Sequence, residues 1–396
     1  MHPSEEIYCE KSNKLSGKTI VLGITGSIAA VDSFHLIREL IRHGARVIPV
    51  MTPAATKLAA PDSIEFASGM KPIVDIGGQT EHIKHLGNHS DADLFLVYPA
   101  TANTISKIAC GIDDTAVTTM ATVALGGKIP FAIAPAMHGM MMENPAVARN
   151  LETLASYGVS IIGPHLSGGR AKVATVSEVV AWATRLLSRD DLIGRRILII
   201  GGRSEEPLDS MRLITNRSTG MMAVALAQRA FERGADVELW MGGCNVALPD
   251  HIPVRRYASV EDLIGMLDLV NHDVVIVPAA LADFTPDLKV EGKIPSDKGF
   301  DMKLNPVPKV LPLLRERCPK VIGYKAESKL SRDDLIKKAR GRLEQYDLSA
   351  VIANDIDSAG KTSASMHLVT REKVTDISGS KPAISDVILN FVSEKL

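Results

Sequence analysis

Apolar residues in this chain gather into short unbroken runs, separated by stretches whose apolar positions lie three and four apart, and the same order occurs twice. The first run, Ile20 to Ile24, follows Gly17 and ends at Gly26 and Ser27; the second, Ile197 to Ile200, follows Gly194 and ends at Gly201 and Gly202. After each comes a stretch at helical spacing, Leu36 to His43 and Leu226 to Arg233. Arg42 or Arg233 stands in the last turn, with Gly44 or Gly234 just beyond. These are the marks of a helix carboxyl end. A second apolar run follows in both places, so each half opens with a β-α-β unit.

A third run in each half passes into a Pro-Ala segment, Leu94 to Tyr98 into Pro99-Ala100 and Val274 to Val277 into Pro278-Ala279. Continuous apolar, β-branched runs suit strands covered on both faces, as in a parallel sheet. The pattern predicts two doubly wound, Rossmann-like α/β domains, the second with a mainly parallel sheet. The polar stretch Ser188 to Gly194 marks the join. It gives an amino-terminal extension over 1–16 and domains over 17–190 and 191–396. Ligands of such sheets bind beyond the carboxyl ends of the strands.

Composition narrows the partners. The 396 residues are 45% hydrophobic and 23% charged, which suits packed domains and excludes disorder as the main state. Lys plus Arg number 45 against 46 Asp plus Glu, so no broad basic field exists for nucleic acid or an anionic membrane, and any anion site is local. Cys9, Cys110, Cys244 and Cys318 lie far apart without a zinc-type spacing, which suits a reducing cytoplasm; Cys110 reads as a small core residue. Thr19 to Val31 has the apolarity of a signal sequence but is broken by Gly23 and Gly26, and it reads as a buried strand and turn.

The turn Gly23 to Ser27 joins a strand to a helix, where backbone N–H groups and the helix dipole favour a phosphate. A nicotinamide-dinucleotide fold needs G-x-G-x-x-G and an acidic residue closing the second strand. Here that strand ends Val50-Met51-Thr52, with a hydroxyl in place of the carboxylate. A mononucleotide phosphate such as that of FMN fits better. Thr101 and Asn103, after Pro99-Ala100, can reach ring carbonyls or phosphate, or simply cap a helix.

Gly23 to Ala30, Val50-Met-Thr52, Pro99-Ala-Thr-Ala-Asn103 and Pro135-Ala-Met137 stand in the order found in the flavin-containing cysteine decarboxylases, which the first half resembles. Glu206 to Asp209, Thr215 to Gly220, Ala279 to Phe284, Gly292-Lys-Ile294 and Ala353-Asn-Asp355 are similar to segments of phosphopantothenate–cysteine ligase. From about residue 17 onward the chain resembles the bifunctional proteins of coenzyme A biosynthesis, decarboxylase first and ligase second. The resemblance implies a flavodoxin-like first domain holding FMN, with Gly26, Ser27, Ile28, Thr52, Pro99, Ala100, Thr101, Asn103, Thr118, Ala136 and Met137 around it. It implies a ligase that activates 4′-phosphopantothenate with CTP and Mg²⁺ and passes the acyl group to cysteine. The first domain then decarboxylates the product to 4′-phosphopantetheine.

In the ligase half the family's pattern places Asp283 and Ala280 at the nucleotide, Lys293 at its phosphates and Asn216 at the acyl-nucleotide. Gly201, Gly202, Ser218, Thr219, Gly220, Tyr324 and Lys338 complete the nucleotide set, and Lys298 and Lys337 are further candidates. In the decarboxylase half a His opens a His-Ile-x-Leu segment. His82-Ile83 supplies the dipeptide and is preferred, while His85 matches the spacing without a gap. His138 stands where the family has Asn to hold the substrate carboxylate. The segment Gly168 to Ala174 lacks the flap cysteine, leaving Lys172 or Arg170 as proton donor. That absence leaves open a flavin-binding regulatory protein with only the ligase half active. Family members assemble as trimers or dodecamers through the decarboxylase and as dimers through the ligase, which implies a homo-oligomer.

Overall fold

The computed structural model describes residues 2–167, 170–287, 291–294, 299–355 and 362–396. The chain forms two compact units, Met1–Ser188 and Arg189–Leu396, both α/β.

The first unit carries β1 (Thr19–Ile24), α1 (Ser33–Arg42), β2 (Arg46–Met51), α2 (Glu81–Leu86), β3 (Leu94–Ala100), α3 (Ala102–Ala109), α4 (Ala116–Gly127), β4 (Phe131–Pro135), α5 (Pro145–Ser156), β5 (Ser160–Ile161) and α6 (Val176–Leu187). The strands lie in the order β2-β1-β3-β4-β5, all parallel, the flavodoxin order. Every residue of β1, β3 and β4 is buried, because helices cover both faces. Leu22, Leu36, Leu40 and Leu96 fill one face, and Val21, Phe95, Val97 and Val117 the other. Residues 2–16, set apart in the sequence pattern, belong to this unit. Leu15 is fully buried, and the Cys9 and Leu15 N–H groups donate to the Ile41 and His43 carbonyls at 3.2 and 2.8 Å, satisfying the end of α1.

The second unit carries β6 (Arg196–Gly201), α7 (Met221–Glu232), β7 (Asp236–Met241), β8 (Val254–Arg256), β9 (Val274–Val277), α8 (Val310–Arg317), β10 (Val321–Glu327), α9 (Arg332–Gln345), β11 (Ala350–Asp355), β12 (Ser363–Val369), β13 (Val374–Ser380) and α10 (Lys381–Lys395). Its eight strands run β8-β7-β6-β9-β10-β11-β12-β13. They are parallel as far as β11, and β12 and β13 add an antiparallel edge. The mainly parallel sheet expected from the apolar runs is present.

The repeated pattern has a repeated clamp. Asp93 accepts the Thr19 N–H at 2.8 Å and Lys18 Nζ at 2.9 Å. Asp273 accepts the Arg196 N–H at 2.8 Å and its guanidinium at 3.0 Å. In each unit a carboxylate just before the third strand fixes the entry of the first.

Candidate active sites

In the first unit the exits of four strands are tied together at one edge. Thr25, fully buried after β1, donates from Oγ1 to the Pro99 carbonyl at 2.7 Å and accepts the Thr101 N–H at 3.0 Å. The Thr52 N–H donates to the Ile24 carbonyl at 3.0 Å and the Ala136 N–H to the Ala100 carbonyl at 2.9 Å. A Cβ at Gly26 would lie 2.6 Å from Ala54 Cβ, so the two loops approach as closely as they do only with glycine there. Ser27 Oγ accepts the Ala29 N–H at 3.4 Å and Thr101 Oγ1 the Thr104 N–H at 3.3 Å. Pro99, Ala100 and Ala136 are buried, Met137 is half-buried, and Ile28 and Asn103 are exposed. Small side chains, hydroxyls and helix-starting N–H groups on one parallel-sheet edge fit a planar ring with a phosphate. Thr118 Oγ1 accepts the N–H groups of Asp114 and Thr115 at 3.1 and 2.9 Å, holding the start of α4.

The two histidines of α2 differ in surroundings. The chain leaves β2 with the Ile73 N–H bonded to the Pro49 carbonyl at 2.9 Å. After α2 it reaches Asp91, which pairs at 3.1 Å with Arg46, the first residue of β2. The helix thus runs back from the carboxyl edge of the sheet to its amino edge. Near its far end His85 is buried, with Nδ1 2.9 Å from Asp91 Oδ1. Burial raises the Asp91 carboxyl, but His85 and Arg46 outweigh it and hold the group below the usual carboxylate range. His82, one turn nearer the carboxyl edge, is half-buried, and its buried Nδ1 has no hydrogen-bond partner among the described residues.

His138 is exposed and caps the short helix Gly139–Met142, its Nδ1 accepting the Met140 N–H at 3.4 Å. Lys172 is exposed at the end of a two-stranded ribbon, His165–Ser167 with Arg170–Lys172. The flap positions Gly168 and Gly169 lie outside the described residues, as does the side chain of Arg170. Cys110, expected in the core, is exposed: it closes the carboxyl end of α3, where the chain turns away from the sheet.

In the second unit Arg203, just after β6, bridges Gly243 and Ala280 through its backbone. Its guanidinium donates to the Ser218 carbonyl at 2.9 Å and to Asn245 Oδ1 at 2.8 Å. Asn216 Nδ2 donates to the Ala280 carbonyl at 3.0 Å, and Ser204 Oγ accepts the Ala282 N–H at 2.9 Å. These bonds hold the segments 216–220 and 278–283 as two walls of a cavity of about 400 Å³ at the carboxyl edge of the sheet. The start of α8, Tyr324 of β10 and Arg342 of α9 form further walls.

Asn216, Ser218, Thr219, Gly220, Ala280, Asp283 and Tyr324 all line this cavity. Asp283 is exposed and ion-paired to Lys309. Tyr324 Oη is buried without a partner among the described residues, and burial pushes its phenol far above the usual value, so it stays neutral. The lining also carries Arg217, Lys325, Arg342 and Lys381, against Asp283 as the single carboxylate among the described residues. Such a field suits a polyanion. Among the described residues no three His, Cys, Asp or Glu side chains are grouped to hold a metal ion.

Four sequence candidates stand off the lining. Gly201 and Gly202 are packed against their own chain: Tyr257 Oη donates to the Gly201 carbonyl at 2.8 Å, and a Cβ on Gly202 (φ +82°) would meet the Gly243 carbonyl at 2.9 Å. Lys293 is exposed. Lys338 pairs with Glu327 at 3.1 Å, and Glu327 also holds the lining residue Lys325 at 2.7 Å. Lys337 is exposed, and Lys298 lies outside the described residues. Sequence reasoning missed Arg217, Lys309, Lys325, Arg342 and Lys381 as lining cations, because no local spacing distinguishes them from surface charges.

Comparison with known proteins agrees with this division. The family model described as Flavoprotein matches residues 9–188, and that described as DNA/pantothenate metabolism flavoprotein C-terminal domain matches residues 192–396. The coenzyme A biosynthesis bifunctional protein CoaBC of Thermococcus kodakarensis is 42% identical over 94% of this chain and 94% of its own length. That of Methanocaldococcus jannaschii is 36% identical over 100% and 98%, and that of Vibrio cholerae 32% identical over 96% and 99%. No helix among the described residues is long and apolar enough to cross a membrane.

Proposed function

The chain belongs to the family of coenzyme A biosynthesis bifunctional proteins, and on that premise we propose how its two units divide the work. The second is a phosphopantothenate–cysteine ligase and the first a phosphopantothenoylcysteine decarboxylase, and this biosynthetic reading stands over a purely regulatory one. The observation that carries it is the agreement of two separate carboxyl-edge sites with relatives matched along nearly their whole length.

In the ligase the phosphates of a nucleotide, CTP on the family resemblance, meet the cation-rich lining. Asp283 takes up the ribose, exchanging its Lys309 contact for a hydroxyl. Asn216, held by the Ala280 carbonyl, orients the activated carboxyl group for attack by the cysteine amine; fixed donors of this kind stabilise developing charge without reorganising. Mg²⁺ is carried by the triphosphate rather than by a protein cage, consistent with a single carboxylate among the described lining residues. Lys293 and Lys338, both off the lining, are assigned to the phosphates on the family resemblance alone.

In the decarboxylase FMN, when bound, takes up and returns the electron pair of the substrate thiol. Gly26, Ser27 and Ile28 hold its phosphate end, Thr52, Thr101 and Asn103 its polar atoms, and Pro99, Ala100, Ala136 and Met137 its ring. His82 Nδ1, desolvated and without a partner among the described residues, orients the substrate and moves its proton. His138 holds the substrate carboxylate, and Lys172 supplies the last proton in place of the flap cysteine. The enzyme works in the cytoplasm as a homo-oligomer.

The test is an absorption spectrum of the purified protein followed by anaerobic turnover with 4′-phosphopantothenate, cysteine and either CTP or ATP. A flavin spectrum, a CTP-dependent amide and CO₂ release are expected. A colourless protein that refuses added FMN overturns the first half of the reading, and failure to form the amide with either nucleotide overturns the second.

A further inference from the structure

Among the described residues five cations line the ligase cavity, and one of them is unlike the others. Lys309 is paired with Asp283, Lys325 with Glu327, Arg342 lies 5.9 Å over the Tyr346 ring, and Arg217 is exposed. Lys381 is only 5% exposed and lines the same cavity as Tyr324, Asn354 and Met366. Burial alone acts on its ammonium, pushing the group below the usual lysine range, and no carboxylate among the described residues pairs with it.

The backbone around Lys381 is fixed from both sides. Its N–H donates to the Thr362 carbonyl at 3.0 Å, and its carbonyl accepts Ser385 Oγ at 2.8 Å. Ser380, the cap of α10, accepts the Ala383 N–H at 3.4 Å. The side chain is therefore delivered to the cavity by a rigid helix start, not by a mobile surface arm. Burying an ammonium without a counter-charge is unfavourable, and proteins seldom keep one unless something pairs with it. The buried Tyr324 Oη, also without a partner among the described residues, belongs to a residue that lines the same cavity.

We propose that Lys381 is a substrate-binding residue of the ligase whose ammonium donates to a phosphate oxyanion brought by the ligand. This inference rests on the ligase reading above. Two substrates bring that group, the nucleotide and 4′-phosphopantothenate, whereas cysteine brings none.

The test compares the full-length protein with Lys381→Met, which keeps the length of the apolar stem, and Lys381→Arg, which keeps the charge. Initial rates are measured while each of CTP, 4′-phosphopantothenate and cysteine is varied in turn. Loss of a charge-assisted hydrogen bond is expected to raise KM for one phosphate-bearing substrate by at least about tenfold, leave KM for cysteine unchanged, and be partly reversed in Lys381→Arg. A rise for CTP assigns the nucleotide phosphates, and one for 4′-phosphopantothenate its own phosphate. A folded Lys381→Met protein with all three KM values and kcat within about twofold of wild type overturns the proposal.

Acetylation of Lys381 in the wild-type protein by an N-hydroxysuccinimide ester, followed by peptide mass spectrometry, decides the matter even where the variant does not fold. CTP with Mg²⁺, or 4′-phosphopantothenate alone, is expected to slow modification at Lys381. Protection by neither overturns the proposal. Wild-type protein that forms no amide overturns the ligase reading instead, and protection still reports whether this lysine meets a phosphate.

Discussion

His85 Nδ1 lies 2.9 Å from Asp91 Oδ1, and this bond ties the end of α2 to the amino edge of the first sheet, away from the strand exits where a flavin would bind. His82, one turn earlier, keeps a buried Nδ1 without a partner among the described residues. His82→Asn is therefore expected to lower decarboxylation by at least about a hundredfold. His85→Asn should keep most of it and lose about 1 kcal/mol of stability. Rates of CO₂ release and urea midpoints check both; the reverse pattern makes His85 the catalytic group.

Thr25→Val should damage the flavin edge without touching the ring. It removes the hydroxyl that serves the Pro99 carbonyl and the Thr101 N–H, leaving two backbone groups short of a partner at a fully buried position. The expected cost is about 1–3 kcal/mol, together with loss of bound flavin on gel filtration. Full retention of flavin and stability would remove Thr25 from the description of the site.

At Gly26 the added methyl of Gly26→Ala meets Ala54 Cβ at 2.6 Å. Forcing the two loops apart costs about 1–3 kcal/mol and should weaken FMN binding while leaving amide formation unchanged. Fluorescence titration with FMN measures the first effect and the ligase assay the second.

Asn216→Asp replaces the donor to the Ala280 carbonyl with an acceptor, setting two oxygens against each other and adding charge beside an anionic intermediate. Amide formation should fall by about 10²–10³-fold, the usual cost of one fixed donor. Nucleotide binding, followed by calorimetry, should change far less. An unchanged rate would end the role given to Asn216.

Arg233 is 1% exposed, and Asp191 holds it with two hydrogen bonds, one of 2.9 Å. Burial raises the Asp191 carboxyl, but Arg233 and Arg189 outweigh it and the group titrates below its usual value. A carboxyl lowered by folding stabilises the fold above its unfolded pKa, about 3.9, and the gain is lost as pH falls through the folded value. Asp191→Asn leaves the guanidinium the Asp386 carbonyl at 3.1 Å and, among the described residues, only one carboxylate, the more distant Asp386 side chain at 3.8 Å. The expected loss is about 3 kcal/mol at neutral pH, with a shallower acid limb below about pH 4. Thermal melts across pH check both.

How much of this was legible beforehand differs between the sheets and the sites. Runs such as Ile20 to Ile24 and Val274 to Val277 could only be strands buried on both faces, and Gly44 and Gly234 closed the helices between them. The ligand edges were legible for the same reason, since residues after a parallel strand lie at its carboxyl end. Thr101 was singled out in that way, whereas Asn216, after the short antiparallel strand Leu213–Thr215, came only from the family resemblance. The antiparallel edge made by β12 and β13 was not, because short alternating strands after an already long sheet leave little apolar signal. Nor was the lining of the ligase cavity, where Arg342 and Lys381 look like ordinary charges on helices.

The order of apolar and polar residues thus determined by itself that there are two units, that each holds a parallel sheet, and which loops lie at its carboxyl edge. Burial depends on spacing along one strand or helix, and spacing is written locally. Tertiary structure alone decided which of two histidines lacks a partner among the described residues, that Asp91 engages the other, and that Lys381 sits desolvated on a cavity it shares with Tyr324, 57 positions earlier in sequence. A charge's partners are set by distance in space, and the chain's contour carries no record of that until it folds.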